Sequence, residues 1–365
     1  MTNEILILGG YGNFGKRIAQ ALGRHGLPLV IAGRDLSKAE AMCRELPNAR
    51  PLRLDIHMGL AEALAREKPS VVIHTSGPFQ GSDYAVARAC IVAGVHYVDL
   101  ADGRDFVCDF NQLDAEAKAA GVTLVSGVST VPGLSSAVIE HLKPHFARMD
   151  RLDFGISPGQ KAERGLATTR GILSYVGKPL RPFAGYPKPY GWQDMHSLAY
   201  PVMGRRYLST CDIPDLDLLP SAYGFHSIRF GAGLELGFMH LGLWGLSWLV
   251  RLGQKLGLPL HLPALAKPLL NISDMFNVMG SDIGGMHVTI SGIDHAGAPR
   301  TRSWFIVAKS GDGPQIPCVP AILLARRLHE KDPGIVAGAF PCVGLIRLED
   351  YLEELRRFDI ETFDA

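Results

Sequence analysis

The chain predicts an α/β fold: a doubly wound parallel sheet with an inserted α+β domain that carries a mixed or antiparallel sheet of its own. Three observations predict it. The stretch "EILILGGYGNFGKRIAQALGRHG", Glu4 to Gly26, reads as a buried strand, a glycine-rich turn and a helix. Strand-like apolar runs then alternate with helical ones to about residue 130. Further on, "GMHVTISGID" and "TRSWFIVAK" read as strands joined across "HAGAP", a hairpin that parallel units lack.

The first strand, Ile5 to Leu8, is apolar throughout, as a strand buried on both faces must be. Gly10, Gly12 and Gly15 follow as G-x-G-x-x-G. Phe14, Ile18 and Leu22 then recur every four residues, the apolar stripe of a helix that ends near Gly26. Strand, glycines and helix in that order form a dinucleotide-binding, Rossmann-type fingerprint. Gly10 permits the tight turn, Gly12 lets the backbone reach a pyrophosphate, and Gly15 lets the helix pack near the strand. The phosphates then sit at the positive end of the helix. With Tyr11, Asn13 and Phe14 between them, these residues are assigned to the cofactor.

The second strand, Leu29 to Ala32, leads into Gly33-Arg34-Asp35. An acidic residue at this tip would hold the ribose hydroxyls of NAD, whereas Arg34 favours the 2′-phosphate of NADP. Asp35 keeps NAD open, with a turn or helix-start role before "LSKAEAMCREL" as its structural alternative. Leu52 to Leu54 read as a third strand ending at Asp55, placed to reach the adenine. The helix "GLAEALAREK" stops at Pro69, and "VVIHTSG" is the fourth strand. After it, Ser76, Gly77, Pro78 and Phe79 border the nicotinamide side. The helix "SDYAVARACIVAG", the strand "VHYVDL", a helix near Asp109 to Ala120 and the strand "VTLVSGV" complete the alternation.

At 365 residues the chain is long enough for two domains with separate cores. A net charge of +1, from 37 basic and 36 acidic residues without a long run of either sign, excludes a nucleic-acid backbone as the main partner. Cys43, Cys90, Cys108, Cys211, Cys318 and Cys342 show no C-x-x-C pairing. The chain also opens directly on a strand-like segment, so the reading expects free thiols in the cytoplasm. His141 and His145 have the spacing of a metal pair, but Pro144 interrupts the helix and no third ligand is nearby, so no metal is expected. Leu236 to Val250, "LGFMHLGLWGLSWLV", carries no charged side chain yet is shorter than the roughly 20 residues of a spanning helix. A buried helix or subunit interface is the preferred reading, with a membrane surface or greasy substrate as its rival.

The stretch "SGPFQGSDYAVARACIVAGVHYVDLADG", Ser76 to Gly103, resembles the saccharopine dehydrogenase-like family. There a G-P-F turn and a helix reading A-C-x-x-A-G precede a strand reading H-Y-x-D. Gly77, Pro78, Phe79, Ala89, Cys90, Ala93, Gly94, His96, Tyr97 and Asp99 match in place. The resemblance covers the first 130 or so residues, and "GDGPQIPCVPAILLARRL" looks like the segment that returns to the nucleotide domain. It implies an NAD(P)-dependent oxidoreductase with an inserted substrate domain. Where many members carry G-F-D-S-x-P after the sixth strand, this chain has Gly127, Val128, Ser129, Thr130, Val131 and Pro132, without that aspartate.

Hydride chemistry belongs to the nicotinamide; the protein must position the substrate and move a proton. The candidates stand at strand carboxyl ends facing the crevice. Asp99 and Asp102 are read as proton donor or iminium anchor and Arg104 as a two-pronged carboxylate ligand, with Ser129 and Thr130 near the sixth strand. The structural alternatives are that Asp99 orders its loop and Asp102 caps a helix. His74, His96 and Cys90 read as core residues. Lys161, Arg164 and Arg170 reach an anionic substrate or simply meet solvent. None of the ten tyrosines has lysine four residues on, which sets short-chain dehydrogenases aside, and G-x-S-x-G is absent.

Three segments result: a dinucleotide-binding domain over 1–149, an inserted substrate and dimerisation domain over 150–310, and a C-terminal segment over 311–365 returning to the first. The function expected is an NADP-dependent oxidoreductase, homodimeric and cytoplasmic, acting on a C–N bond of an amino-acid-derived small molecule. Reduction of a C=C bond in a hydrophobic substrate and a non-catalytic NADP sensor are the alternatives.

Overall fold

The computed structural model describes residues 3–258, 260–332 and 334–365. The chain begins with β1 (Ile5–Leu8), α1 (Asn13–Arg24), β2 (Leu29–Gly33), α2 (Leu36–Arg44) and β3 (Ala49–Arg53). Next come α3 (Leu60–Glu67), β4 (Val71–His74), α4 (Ala85–Ala93) and β5 (His96–Asp99). Then follow α5 (Arg104–Cys108), α6 (Asp114–Ala120) and β6 (Thr123–Ser126). The middle of the chain holds α7 (Ser135–Leu142), β7 (Arg148–Ser157), α8 (Leu166–Tyr175), β8 (His196–Tyr200) and β9 (Gly204–Thr210). It continues with α9 (Asp215–Tyr223), β10 (Ser227–Ala232), α10 (Gly237–Lys255), α11 (Ala266–Met275), β11 (Gly284–Ile293) and β12 (Pro299–Ala308). The last elements are α12 (Val319–His329), β13 (Gly338–Pro341), α13 (Leu348–Leu355) and β14 (Ile360–Asp364). Two compact units result. One runs to Leu134 and resumes over Gln315–Tyr351; the other is Ser135–Pro314 with Leu352–Ala365.

The first unit is built on a seven-stranded sheet in the order β13-β6-β5-β4-β1-β2-β3, every neighbouring pair parallel. The order reverses between β1 and β4, which makes that crevice the topological switch point. Ile5, Leu6 and Ile7 are fully buried, as the uninterrupted apolar run requires. On α1, Ile18 and Leu22 are fully buried, each contributing about 1.5–3 kcal/mol. The third strand starts at Ala49, earlier than read from sequence, because Arg50 and Pro51 are tolerated on a half-exposed edge. The helix expected near Asp109 to Ala120 is instead a 3₁₀ turn over Phe110–Leu113 followed by α6. The edge strand β13 was not foreseen.

The second unit carries a mixed sheet in the order β14-β12-β11-β7-β10-β9-β8. β7 and β10 run parallel and the other pairs antiparallel. β11 and β12 form the expected hairpin, closed by Asp294 N–H donating to Ala298 O at 2.9 Å. β14 pairs with β12, so the segment after 311 is divided between the units, where the sequence reading gave all of it to the first. The alternation Ile360-Glu361-Thr362-Phe363 lets an edge strand lay one face on the sheet.

α10 corrects the buried-helix half of the preferred reading, buried helix or subunit interface, of the uncharged stretch. Its buried positions are His240, Ser247 and Val250, while Phe238, Leu241, Trp248, Leu249 and Leu252 are exposed. The inward stripe is anchored by polar bonds. His240 Nε2 pairs with Ser209 Oγ at 2.9 Å, and its Nδ1 accepts the Leu234 N–H at 3.3 Å. Burial lowers the His240 pKa to about 4, so the ring is held neutral.

Candidate dinucleotide site

The site is built at the carboxyl ends of β1 and β4. Thr75 closes the crevice floor, its N–H and its Oγ1 both donating to Leu8 O, at 3.0 and 2.8 Å. The turn after β1 must come very close to α1. A Cβ on Gly15 would lie 2.2 Å from Gly9 O and 2.9 Å from Gly10 Cα, so only glycine fits. Gly12 is the N-cap of α1; no side chain caps that end and no acidic residue stands in the first turn. The helix terminus therefore meets an anion without a competing carboxylate, which fits a pyrophosphate. Asn13 is fixed by Arg17, which donates to its carbonyl oxygen at 2.5 Å and to its side-chain oxygen. Phe14 is half-buried.

Tyr11 leans over the end of β2. A Cβ on Gly33 would come 2.4 Å from the phenol oxygen, and that oxygen accepts the Asp35 N–H at 3.0 Å. The Asp35 carboxylate is the N-cap of α2: it accepts the Lys38 N–H at 3.3 Å and lies 3.5 Å from Lys38 Nζ. Of the two roles open to Asp35, the helix-start role is therefore the one observed. Arg34 and Arg53 flank the same tip, since Gly33 and Arg53 are register partners across β2 and β3. Neither arginine has an ion-pair partner among the described residues.

Tyr11, Arg34, Asp35, Leu36, Ser37, Lys38 and Arg53 line a cavity of about 570 Å³. A second, of about 580 Å³, shares Arg34 and Arg53 and continues past Asp55, Met58, Glu62 and Arg66. Asp55 sits in its wall with one carboxylate oxygen accepting the His57 N–H at 3.0 Å. Ser37, Lys38 and Arg53 were missed in the sequence. The available signal was Arg53, a cation ending the strand beside Gly33-Arg34.

Residues 5–125 match the family of saccharopine dehydrogenase NADP binding domains. They form a saccharopine dehydrogenase-like NAD(P)-binding domain. The match lies within the nucleotide-binding unit of the chain. Two solved structures share its fold over nearly the full length. One is apo saccharopine dehydrogenase (L-Glu forming) from Saccharomyces cerevisiae, at 13% identity and TM-score 0.68, with 99% of each chain covered. The other is homospermidine synthase from Legionella pneumophila in complex with NAD, at 11% identity and TM-score 0.60. That alignment covers 100% of this chain and 91% of the synthase.

Around the rest of the saccharopine dehydrogenase-like crevice, Gly77 and Pro78 are exposed and joined by a cis peptide, and Ser76 is half-buried. Phe79 differs from its assignment. Its ring is 5% exposed and packs 5.0 Å from His74 and 5.4 Å from Phe106, so the ring belongs to the core. His74 is a core residue as read, its Nδ1 bonded to Tyr97 Oη at 3.0 Å and its pKa lowered to about 4 by burial.

Asp99 is fully buried. Its Oδ1 accepts from Ala101 N, Ser126 Oγ and Gly127 N, each at 2.9 Å, and so ties β5 to the turn after β6. Oδ2 is buried with no hydrogen-bond partner among the described residues. Burial raises the Asp99 pKa to about 6 against the pull of those donors. This geometry is the loop-ordering alternative. Arg104 is buried, 3% exposed, in the first turn of α5. Asp102 is only half-buried; it accepts from Gln80 Nε2 at 3.0 Å, and desolvation raises its pKa.

In the second unit Arg164 is consumed internally, donating to Gln160 O at 2.7 Å, to Gln160 Oε1 at 2.8 Å and to Ser273 Oγ at 2.5 Å. Lys161 and Arg170 are exposed. Sequence reading also missed a buried polar group on the second sheet. His287 Nδ1 meets Tyr200 Oη at 2.7 Å, its Nε2 lies 3.6 Å from Asp153 Oδ1, and Asp153 also pairs with Arg229.

Proposed function

We propose that the chain is an NADP-dependent reductase. One observation carries the cofactor choice: Arg34 and Arg53 stand together at the tip of β2 while the Asp35 carboxylate is committed to capping α2. A 2′-phosphate suits two unpaired arginines with Ser37 and Lys38 beside them; a ribose diol would need a carboxylate that is already engaged. In this reading Gly10 to Gly15 and the start of α1 hold the pyrophosphate, Asp55 lies on the adenine side, and Ser76, Gly77 and Pro78 border the nicotinamide. Bound there, the cofactor supplies the hydride. Asp102, with its raised carboxyl pKa, is our candidate for the proton donor.

For the substrate, likeness to a saccharopine dehydrogenase suggests a C–N bond of an amino-acid-derived molecule. A cation must then meet the carboxylate, whereas Arg164 is engaged internally and Arg104 is 3% exposed. A C=C bond in a hydrophobic substrate asks for no such cation, and we place it ahead of the C–N bond. A homodimer working in the cytoplasm belongs to the same reading.

The test is a pair of titrations with NADPH and NADH on the wild type and on Arg34→Ala, followed by a screen of imines and enones. NADPH binding about tenfold tighter than NADH, roughly 1.4 kcal/mol, and lost in the variant supports NADP. Equal binding of the two refutes it. Turnover of any compound in the screen rules out a sensor.

A further inference from the structure

We propose that the exposed face of α10, continued by α11, docks the protein on an anionic lipid surface. The helix is turned inside out relative to a core helix: its polar His240 and Ser247 are buried, whereas Phe238, Leu241, Trp248, Leu249 and Leu252 are 43–60% exposed. Those five positions fall on one stripe at helical spacing, opposite the buried one. Leu256, Leu258 and Leu260 extend the patch beyond the helix end. At the other end Phe238 packs edge-on against Phe276 at 5.2 Å, which joins the patch to α11 and its exposed Ile272 and Met275. A contiguous apolar surface of this kind marks an interaction site.

Charge decides the occupant. From Leu236 to Met275 the charged side chains are Arg251, Lys255, Lys267 and a single acidic one, Asp274. Arg251 is turned inward, bonded to Gln193 Oε1 at 2.9 Å, so Lys255 and Lys267 against the one exposed carboxylate of Asp274 leave the face net positive. A second copy related by a two-fold axis would set like net charge against it. Anionic headgroups supply the missing charge, and the leucines and phenylalanine enter the acyl boundary. Trp248 sits where an indole is favoured at such a boundary, with the Arg251 guanidinium 5.1 Å from its ring and 3.7 Å from the ring of Tyr190. No helix among the described residues is long and apolar enough to cross a membrane, so α10 would lie in the interface plane. This inference does not rest on the reading of the substrate.

The test is co-sedimentation of the full chain with vesicles of phosphatidylcholine alone and of phosphatidylcholine mixed with phosphatidylglycerol, with light scattering of the free protein in parallel. The expected result is binding to the anionic vesicles, roughly tenfold weaker to the neutral ones, and weakened by salt. Leu249→Glu with Leu252→Glu should abolish it. Lys255→Glu with Lys267→Glu, which leaves the apolar stripe intact, should weaken it by roughly tenfold. All four positions are exposed, and an unchanged melting curve verifies folding. Failure of the wild type to bind either vesicle overturns the proposal, as does binding that survives the leucine pair. A dimer that the leucine pair turns into monomers, without vesicle binding, assigns the face to a second copy and also overturns it.

Discussion

Tyr11 Oη accepts the backbone N–H of Asp35 at 3.0 Å, so the glycine turn after β1 and the turn after β2 are held as one piece. Tyr11 thereby fixes where Arg34 starts and how it meets Arg53. Arg53→Ala should weaken NADPH binding by about tenfold, ~1.4 kcal/mol, and leave NADH unchanged. Tyr11→Phe should act in the same direction through a lost hydrogen bond, by about 1 kcal/mol. Fluorescence titration with both nucleotides checks this. A fall in NADH affinity in Arg53→Ala matching the NADPH fall would show that Arg53 does not read the 2′-phosphate.

Gly15→Ala should damage both stability and cofactor binding. The added methyl meets backbone rather than a flexible side chain, 2.2 Å from Gly9 O, so α1 must shift away from the turn. Overpacking of this kind costs about 1–3 kcal/mol. The melting temperature and the NADPH affinity of the variant should drop together; a variant as stable and as tight-binding as wild type would mean that the turn is looser than drawn.

Two neighbouring carboxylates should separate by role. Asp99 is buried with its pKa raised to about 6, so between its ordinary value near 4 and about 6 the folded state holds more protons than the unfolded one. Stability from this group is therefore present at low pH and falls as pH rises through that window. Asp99→Asn keeps an acceptor for Ala101, Ser126 and Gly127 and removes the titration, and urea melts at several pH values should show that part of the slope gone. Asp102→Asn should leave stability nearly unchanged and lower kcat by about 10²-fold or more. Loss of kcat in Asp99→Asn with normal kcat in Asp102→Asn would reverse the two assignments.

Much of the nucleotide unit was legible because its signals are local. β1, the glycines and the α1 stripe each dictate one geometry, and the hairpin across His295 to Pro299 announces itself by two strand-like runs and a short turn. What stayed hidden depends on contacts distant in sequence. Arg53 becomes part of the site only because β3 lies beside β2. Arg104 looks like a ligand until its burial is known. β14 was invisible because its pairing partner, β12, lies some fifty residues earlier. α10 misled for a different reason: an uncharged run suggests a core, and only His240 bonded to Ser209 shows which side faces in.

Arg164 gives the sharpest contrast between the sequence reading and the fold. In sequence it is a free cation in "PGQKAERGLATTR"; in the structure it is bonded to Gln160 and Ser273. Gln160 in turn donates its side-chain nitrogen to Ser273 O at 2.8 Å and its backbone N–H to Glu235 at 2.6 Å. Glu235 also takes the N–H and hydroxyl of Ser281 and lies 3.3 Å from Arg206. The network ties the loop after β7 to α11 and to the approach of β11, so removing Arg164 leaves partly buried acceptors without a donor. Arg164→Met, similar in volume, should cost about 1–3 kcal/mol of stability while leaving NADPH affinity and substrate KM at wild-type values. A raised KM at unchanged stability would instead return Arg164 to the role of anion ligand and restore the amino-acid-derived substrate.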